Sequence, residues 1–275
     1  MTFALALLAS SLSWHEVPHQ RLELRENNRP VLVYNYGPQL AEGVRERYRR
    51  SSYIHPVYAP NGVAVTDDFP ADHFHHRGIS WMWPVITYQG KRYDLWLLLP
   101  GIRHEFVRWI ARENGNPARL SAENAWFIGD RRVLKETVDL RVHPARGNAQ
   151  AMDITLVFEA LEPLTLRGEP TDNKGYGGLS VRFAPRKDTV ITGPDGREPS
   201  SDRKPLAWAE LAGAFEKGNA ALRIDIAKDN PGFPNGWCLR DYGYLGVNYP
   251  QLETLALEPG KPLRLSYRIT VEGRQ

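Results

Sequence analysis

The chain has 275 residues with 35 basic and 32 acidic side chains, a net charge of +3, and is 42% apolar and 24% charged. That composition can bury a sizeable core, carries too little charge for disorder, and lacks the dense basic stripe of a nucleic-acid binder. One cysteine, Cys238, excludes an internal disulfide framework and any multi-cysteine metal site.

Residues 1–13 form an apolar run followed by small residues, like the end of a secretory signal without its basic start. A periplasmic or secreted location is the expectation, with a cytoplasmic one as the alternative. No run of eighteen apolar residues exists, so no membrane-spanning helix is predicted. Ala41 to Arg50, with Arg45, Arg47, Arg49 and Arg50, reads as a solvated turn or a helix of two or three turns. In the strand Leu134 to Val142, Leu134, Val138, Leu140 and Val142 share one face. Period-two alternation recurs at Met152 to Phe158, Leu179 to Phe183, Leu222 to Ile226 and Leu263 to Val271. Breakers such as Pro60-Asn61-Gly62, Gly193-Pro194-Asp195-Gly196 and Pro259-Gly260 separate these runs. Leu206 to Phe215 is ambiguous between helix and strand. The prediction is one all-β domain over residues 14–275, a large antiparallel β-sandwich with few short helices.

Three of the eight histidines fall within Asp72-His73-Phe74-His75-His76-Arg77-Gly78. On an extended chain His73 and His75 point to one side, while Asp72, Phe74 and His76 point to the other. Two imidazoles aimed at one point suit a charged substrate or a divalent metal, the latter needing a third ligand from His55, His104 or Glu136. A metal-free polar site and a purely structural polar turn are the other readings. Glu136 falls on the apolar face of its strand. A carboxylate there is costly unless paired, so it is either a general base with a raised pKa or half of a buried ion pair. Trp81, Trp83 and Trp96 follow the histidines and read as core packing or as a platform for a sugar ring. The turn-dense stretch Asn230 to Trp237, followed by Arg240-Asp241-Tyr242-Gly243, reads as a loop at a sheet edge. Nucleotide-binding and serine-nucleophile motifs are missing, and Cys238 reads as an inert thiol.

Tyr53-Ile54-His55-Pro56, Asp68-Phe69-Pro70, Asp72 to Gly78, Tyr93-Asp94-Leu95-Trp96, Gly101-Ile102-Arg103-His104, Gly177 to Arg182 and Gly236 to Gly243 together resemble a bacterial family of uncharacterised proteins. That family is often labelled methane oxygenase PmoA. The likeness spans nearly the whole chain after Trp14, although Gly78 stands where the family usually has Ser. The resemblance implies a sandwich like the supersandwich of galactose mutarotases and related carbohydrate-active enzymes. The leading expectation is an enzyme acting on a sugar or glycoside, as an epimerase, lyase or hydrolase. His75, His76, His104 and Glu136 would be catalytic, with His55, His73, Arg77, Trp81, Trp237 and Arg240 binding a small-molecule or oligosaccharide ligand, and no cofactor. The alternative is a non-catalytic glycan-binding module. A metal-dependent oxygenase, which would need membrane spans or a defined copper site, ranks last.

Overall fold

The structure, a computed structural model, describes residues 11–275. Two nine-stranded antiparallel sheets and a four-stranded one make up the molecule. The first sheet runs, edge to edge, Leu12–Val17, Arg21–Glu26, Arg29–Asn35, Tyr53–Val57, Ile79–Met82, Gly178–Arg182, Tyr244–Asn248, Gly236–Arg240 and Ser201–Pro205. The second runs Gly196–Arg197, Arg186–Gly193, Trp208–Phe215, Gly218–Ile226, Leu263–Arg274, Ala149–Ala160, Arg131–Val142, Ala118–Ile128 and Ile102–Glu113. The small sheet joins Leu255–Leu257, Leu164–Arg167, Val85–Tyr88 and Lys91–Tyr93. Among the described residues no helix is long and apolar enough to cross a membrane.

Alternation builds the sandwich. Residues of Ala149–Ala160 are half-buried and buried in strict turn, so Met152, Ile154, Leu156 and Phe158 enter the layer between the two large sheets. A bulge between Arg132 and Leu134 resets the next strand, after which Leu134, Glu136, Val138, Leu140 and Val142 all point inward. Trp83 packs edge-on against Phe158 and tilted against Trp126, which ties the layers together.

The centre of the first sheet departs from simple alternation. Every residue of Ile79–Met82, Gly178–Arg182 and Tyr244–Asn248 is buried. Both faces of these strands are therefore covered, and Ser80, Ser180 and Arg182 sit beneath loops rather than in water.

The ambiguous stretch before Phe215 is the strand Trp208–Phe215, paired with Gly218–Ile226. The helix considered over Ala41 to Arg50 shrinks to one 3-10 turn, Glu46–Tyr48. Gln39 and Arg50 exchange backbone hydrogen bonds at 2.8 and 3.1 Å, closing the segment as a loop and outcompeting helical pairing. Of the signal-like residues 1–13, the first ten lie outside the described residues. Leu12 and Ser13 already belong to the first strand, and Leu12 is part of the core.

Candidate functional site

The histidine segment is not extended. His73 N–H donates to the Pro70 carbonyl and His76 N–H to the His73 carbonyl, each at 2.9 Å. Two successive turns thus replace the strand that simple spacing implies. The expected split into two faces is corrected accordingly: His73, His75 and His76 all converge. His73 stacks on His76 at 4.6 Å with an interplanar angle of 3°, and His75 stands edge-on to both.

The stack extends at each end. Tyr242 lies parallel to His73 at 5.6 Å, and Tyr244 stacks on His76 at 5.1 Å. Four rings, Tyr242–His73–His76–Tyr244, form one wall, and Trp96 meets His76 and Tyr244 edge-on. Tyr242 is the exposed end and Tyr244 the buried one. The rings need particular backbone beneath them. A Cβ on Gly246 would lie 2.7 Å from Tyr244 Oη, and one on Gly78 would lie 2.2 Å from the Ile54 carbonyl oxygen. Glycine at both positions lets the chains approach this closely.

Arg77 fastens the turn. Fully buried, it donates to the carbonyls of Phe74 (2.5 Å), His76 (2.8 Å) and Tyr48, sits 3.3 Å from Asp68, and lies over the Phe69 ring at 3.6 Å. Its two Nη groups are spent on these carbonyls and its Nε faces Asp68 without a hydrogen bond, so the ligand-binding role expected of it becomes one of support.

The wall borders a cleft of about 330 Å³, lined also by Trp96, Lys174, Tyr176, Cys238 and Arg240. Directly beneath, Arg182 donates to both carboxylate oxygens of Asp72 at 2.8 and 2.9 Å. Its Nε and Nη1, together with His76 Nδ1 and Tyr244 Oη, are buried and have no protein partner. Burial, then the charges of His73, Arg77, Arg50 and Arg47, push His75 down to about 3. Burial and the neighbouring histidines push His76 down further still. Both imidazoles are therefore neutral at physiological pH, able to accept hydrogen bonds but weakly basic. Burial raises the Tyr242 hydroxyl and the Cys238 thiol, each to about 12.

Glu136 does not line this cleft. It has no solvent exposure and sits between the large sheets. Its Oε1 accepts from Trp81 Nε1 (2.9 Å), His104 Nε2 (3.0 Å) and Asn124 Nδ2 (2.8 Å), and its Oε2 accepts from Trp126 Nε1 (3.0 Å). Burial alone would raise its pKa, but attraction to His104 and these donors outweigh that and hold the carboxyl below its ordinary value. A carboxylate saturated by four donors and closed to solvent cannot take a substrate proton. The general-base expectation for Glu136, and with it the catalytic one for His104, gives way to a structural role in a buried hydrogen-bond network.

Trp81 and Trp237 are buried, Trp237 Nε1 donating to the Leu206 carbonyl at 2.8 Å, so neither offers a face to a sugar. His55 bonds Thr66 Oγ1 at 3.0 Å away from the cleft, and burial and Arg77 lower it to about 4. Arg240 does reach the cleft, braced by Asp202 at 2.6 Å. For a metal the donors do not fit. His73 Nδ1 already lies 3.0 Å from Asp72, its ring is stacked face-on against His76, and among the described residues no three His, Cys, Asp or Glu side chains are placed to hold one ion.

Sequence reasoning missed Arg182, Tyr176, Tyr242 and Tyr244 as site residues. The signal for Arg182 was present: it alternates with Leu179 and Val181 on the face opposite the core.

No curated protein matches the chain. Among solved structures, an aldose epimerase homologue from C. elegans aligns over 97% of this chain and all of its own, at 9% identity and a TM-score of 0.41. A heparinase III aligns over 96% at 10% identity and a TM-score of 0.39, and a polysaccharide lyase over 97% at 12% and 0.35. The chain spans about a third of the length of these last two, 34% and 33%. A model of the family of unknown function DUF6807 matches residues 21–275, and the chain belongs to that family.

Proposed function

We propose that the protein recognises a carbohydrate in the cleft walled by Tyr242, His73, His76 and Tyr244. The observation that carries this reading is a pair of buried polar atoms without hydrogen-bond partners on two rings that line the cleft, His76 Nδ1 and Tyr244 Oη, with Arg182 Nε and Nη1 in the small cavity behind those rings. Unpaired buried donors and acceptors cost about 1–3 kcal/mol each, and a ligand rich in hydroxyls supplies their partners. The flanking aromatic rings suit the apolar faces of a pyranose, and about 330 Å³ falls at the small end of ligand pockets, enough for one or two sugar rings.

Acid–base chemistry in this cleft falls to His75 and His76, whose low basicity suits hydrogen-bonding to hydroxyls better than abstracting their protons. Among the described residues no carboxylate lines the cleft. That observation favours the second reading, a binding module, over a glycosidase-like enzyme, which uses a pair of carboxylates. The donor set gives an oxygenase no support.

The test is calorimetric titration of the whole protein with neutral and acidic mono- and disaccharides, with NMR of each mixture to detect turnover. Tyr244→Phe and His76→Ala should each weaken the best ligand about ten-fold or more, the loss of one or two buried hydrogen bonds. A folded protein that binds no saccharide at about 10 mM sinks the reading. Turnover that disappears with His75→Ala would move the protein into the enzyme class.

A further inference from the structure

A second cleft, of about 410 Å³, lies on the other side of the segment Asp94 to Pro100. That segment is a partition. Trp96 and Leu97 face the histidine cleft, whereas Leu95, Leu98 and Leu99 face the second. Asp94 holds it rigid, its side chain accepting from Leu97 N–H at 2.7 Å and its carbonyl from Leu99 N–H at 3.1 Å. The two clefts share no lining residue.

Arg50 lines the second cleft and is 4% exposed. Its Nη1 packs against Met82 Sδ, a weak acceptor, while Nε and Nη2 have no protein partner. Nε–H and the outer Nη2–H lie along one edge of the guanidinium and point the same way. That edge is the one which grips both oxygens of a carboxylate side-on. Of the carboxylates whose charge reaches it, Glu136 is already saturated and Asp68 faces Arg77. Burial and the Arg77 charge depress Arg50 to about 9, which leaves it cationic at neutral pH. The other charges of this cleft are largely accounted for. Arg49 pairs with Glu46, Arg103 with Glu105, and Arg47 lies over the Tyr48 ring. Its remaining walls are mostly apolar, Leu95, Leu98, Leu99, Pro100 and Ile102 among them, with Ser51 and the Glu136-bonded His104 as the polar exceptions.

We propose that this second cleft binds a carboxylic acid with an apolar body, its carboxylate held side-on by Nε and Nη2 of Arg50 and its body against Leu95, Leu98 and Leu99. A planar fork matches a carboxylate better than a tetrahedral oxyanion, and leucine walls exclude a heavily hydrated ligand. The site is independent of the carbohydrate reading.

Calorimetric titration of the whole protein with benzoate tests it, with benzamide and inorganic phosphate as controls. Benzoate should bind at about millimolar or better, with benzamide and phosphate at least about ten-fold weaker. Arg50→Lys keeps the charge and loses the fork, and should weaken benzoate about ten-fold or more. If that variant does not fold, Leu99→Asp supplies the check. Leu99 is 38% exposed, so an aspartate there is tolerated while repelling the bound carboxylate, and it should abolish binding. Benzamide or phosphate binding as tightly as benzoate would overturn the proposal. So would benzoate affinity untouched by Leu99→Asp.

Discussion

Replacing Glu136 by glutamine tests the central network of the sandwich. A buried carboxylate without partners would be relieved by the change, and the protein would gain stability. The geometry requires the opposite sign. Glutamine keeps one acceptor oxygen, and its best placement puts that oxygen at the Oε1 position, facing His104, Asn124 and Trp81. The amide nitrogen then confronts Trp126 Nε1, 3.0 Å away, donor against donor. Trp126 Nε1 loses its acceptor and the new amide N–H finds none, at about 1–3 kcal/mol each, and the other three bonds lose their charge assistance. The sum falls in the range of about 3–5 kcal/mol for breaking a buried pair. At about 2–4 °C per kcal/mol for a chain near this size, the melting temperature should fall by roughly 6–20 °C. Trp126→Phe removes the opposed donor, so the double variant should be less destabilised than the two single ones added together. The sign also depends on pH. The folded-state pKa of Glu136 lies below the ordinary value of 4.5. Its stabilising contribution is thus complete above pH 4.5 and is lost as pH falls through the lower folded value. The deficit of Glu136→Gln should accordingly be full at pH 7 and shrink under acid. Differential scanning calorimetry at pH 7 and pH 4 reads both effects. A melting point within about 2 °C of the parent, or above it, would refute the structural assignment.

Three other outcomes are expected. Because the folded pKa of His75 is depressed to about 3 from an unfolded value near 6.5, its contribution is complete above pH 6.5 and erodes as pH drops toward 3. Thermal melts from pH 7 to pH 4 should show that loss, and His75→Asn should flatten it; an unchanged slope would contradict the burial of this ring. Gly78→Ala drives a Cβ to 2.2 Å from the Ile54 carbonyl oxygen and 2.7 Å from His55 Cβ, so urea unfolding should show a loss of about 1–3 kcal/mol, typical of overpacking, where a surface glycine would show none. Asp72→Asn loosens the grip on Arg182, whose side chain is buried, by a change at the half-exposed carboxylate. It should cost under about 1 kcal/mol of stability by denaturant titration while weakening saccharide binding several-fold, and equal losses in both would argue against a positioning role.

The strands were legible because each buries one face, and period two survives in the residues of Ala149–Ala160 without exception. The inward placement of Glu136 was legible for the same reason. Its role was not, because the deciding partners, Trp81 and Asn124, arrive from other strands 55 and 12 residues away in the chain. The histidine cluster was visible as composition, but its geometry depends on two turn hydrogen bonds and on Arg77 capturing three carbonyls. Arg182 and Tyr244 were obscured by a different cause. On an ordinary half-exposed strand they would face water, and only the loops folded over the first sheet turn that face into a site.

The position of Leu263–Arg274 bears on how the molecule is made. This strand lies in the middle of the second large sheet, bonded on one side to Ala149–Ala160 and on the other to Gly218–Ile226. During synthesis those two strands are exposed on the ribosome for more than a hundred and about forty residues respectively before the strand that joins them emerges. Until then each presents an unpaired, Val-, Leu- and Ile-rich edge, the kind of surface on which nascent chains mispair and which chaperones shield. Folding dominated by such distant pairings is slow. Yield from a recombinant host should therefore respond more to growth temperature and chaperone supply than to changes at the molecular surface.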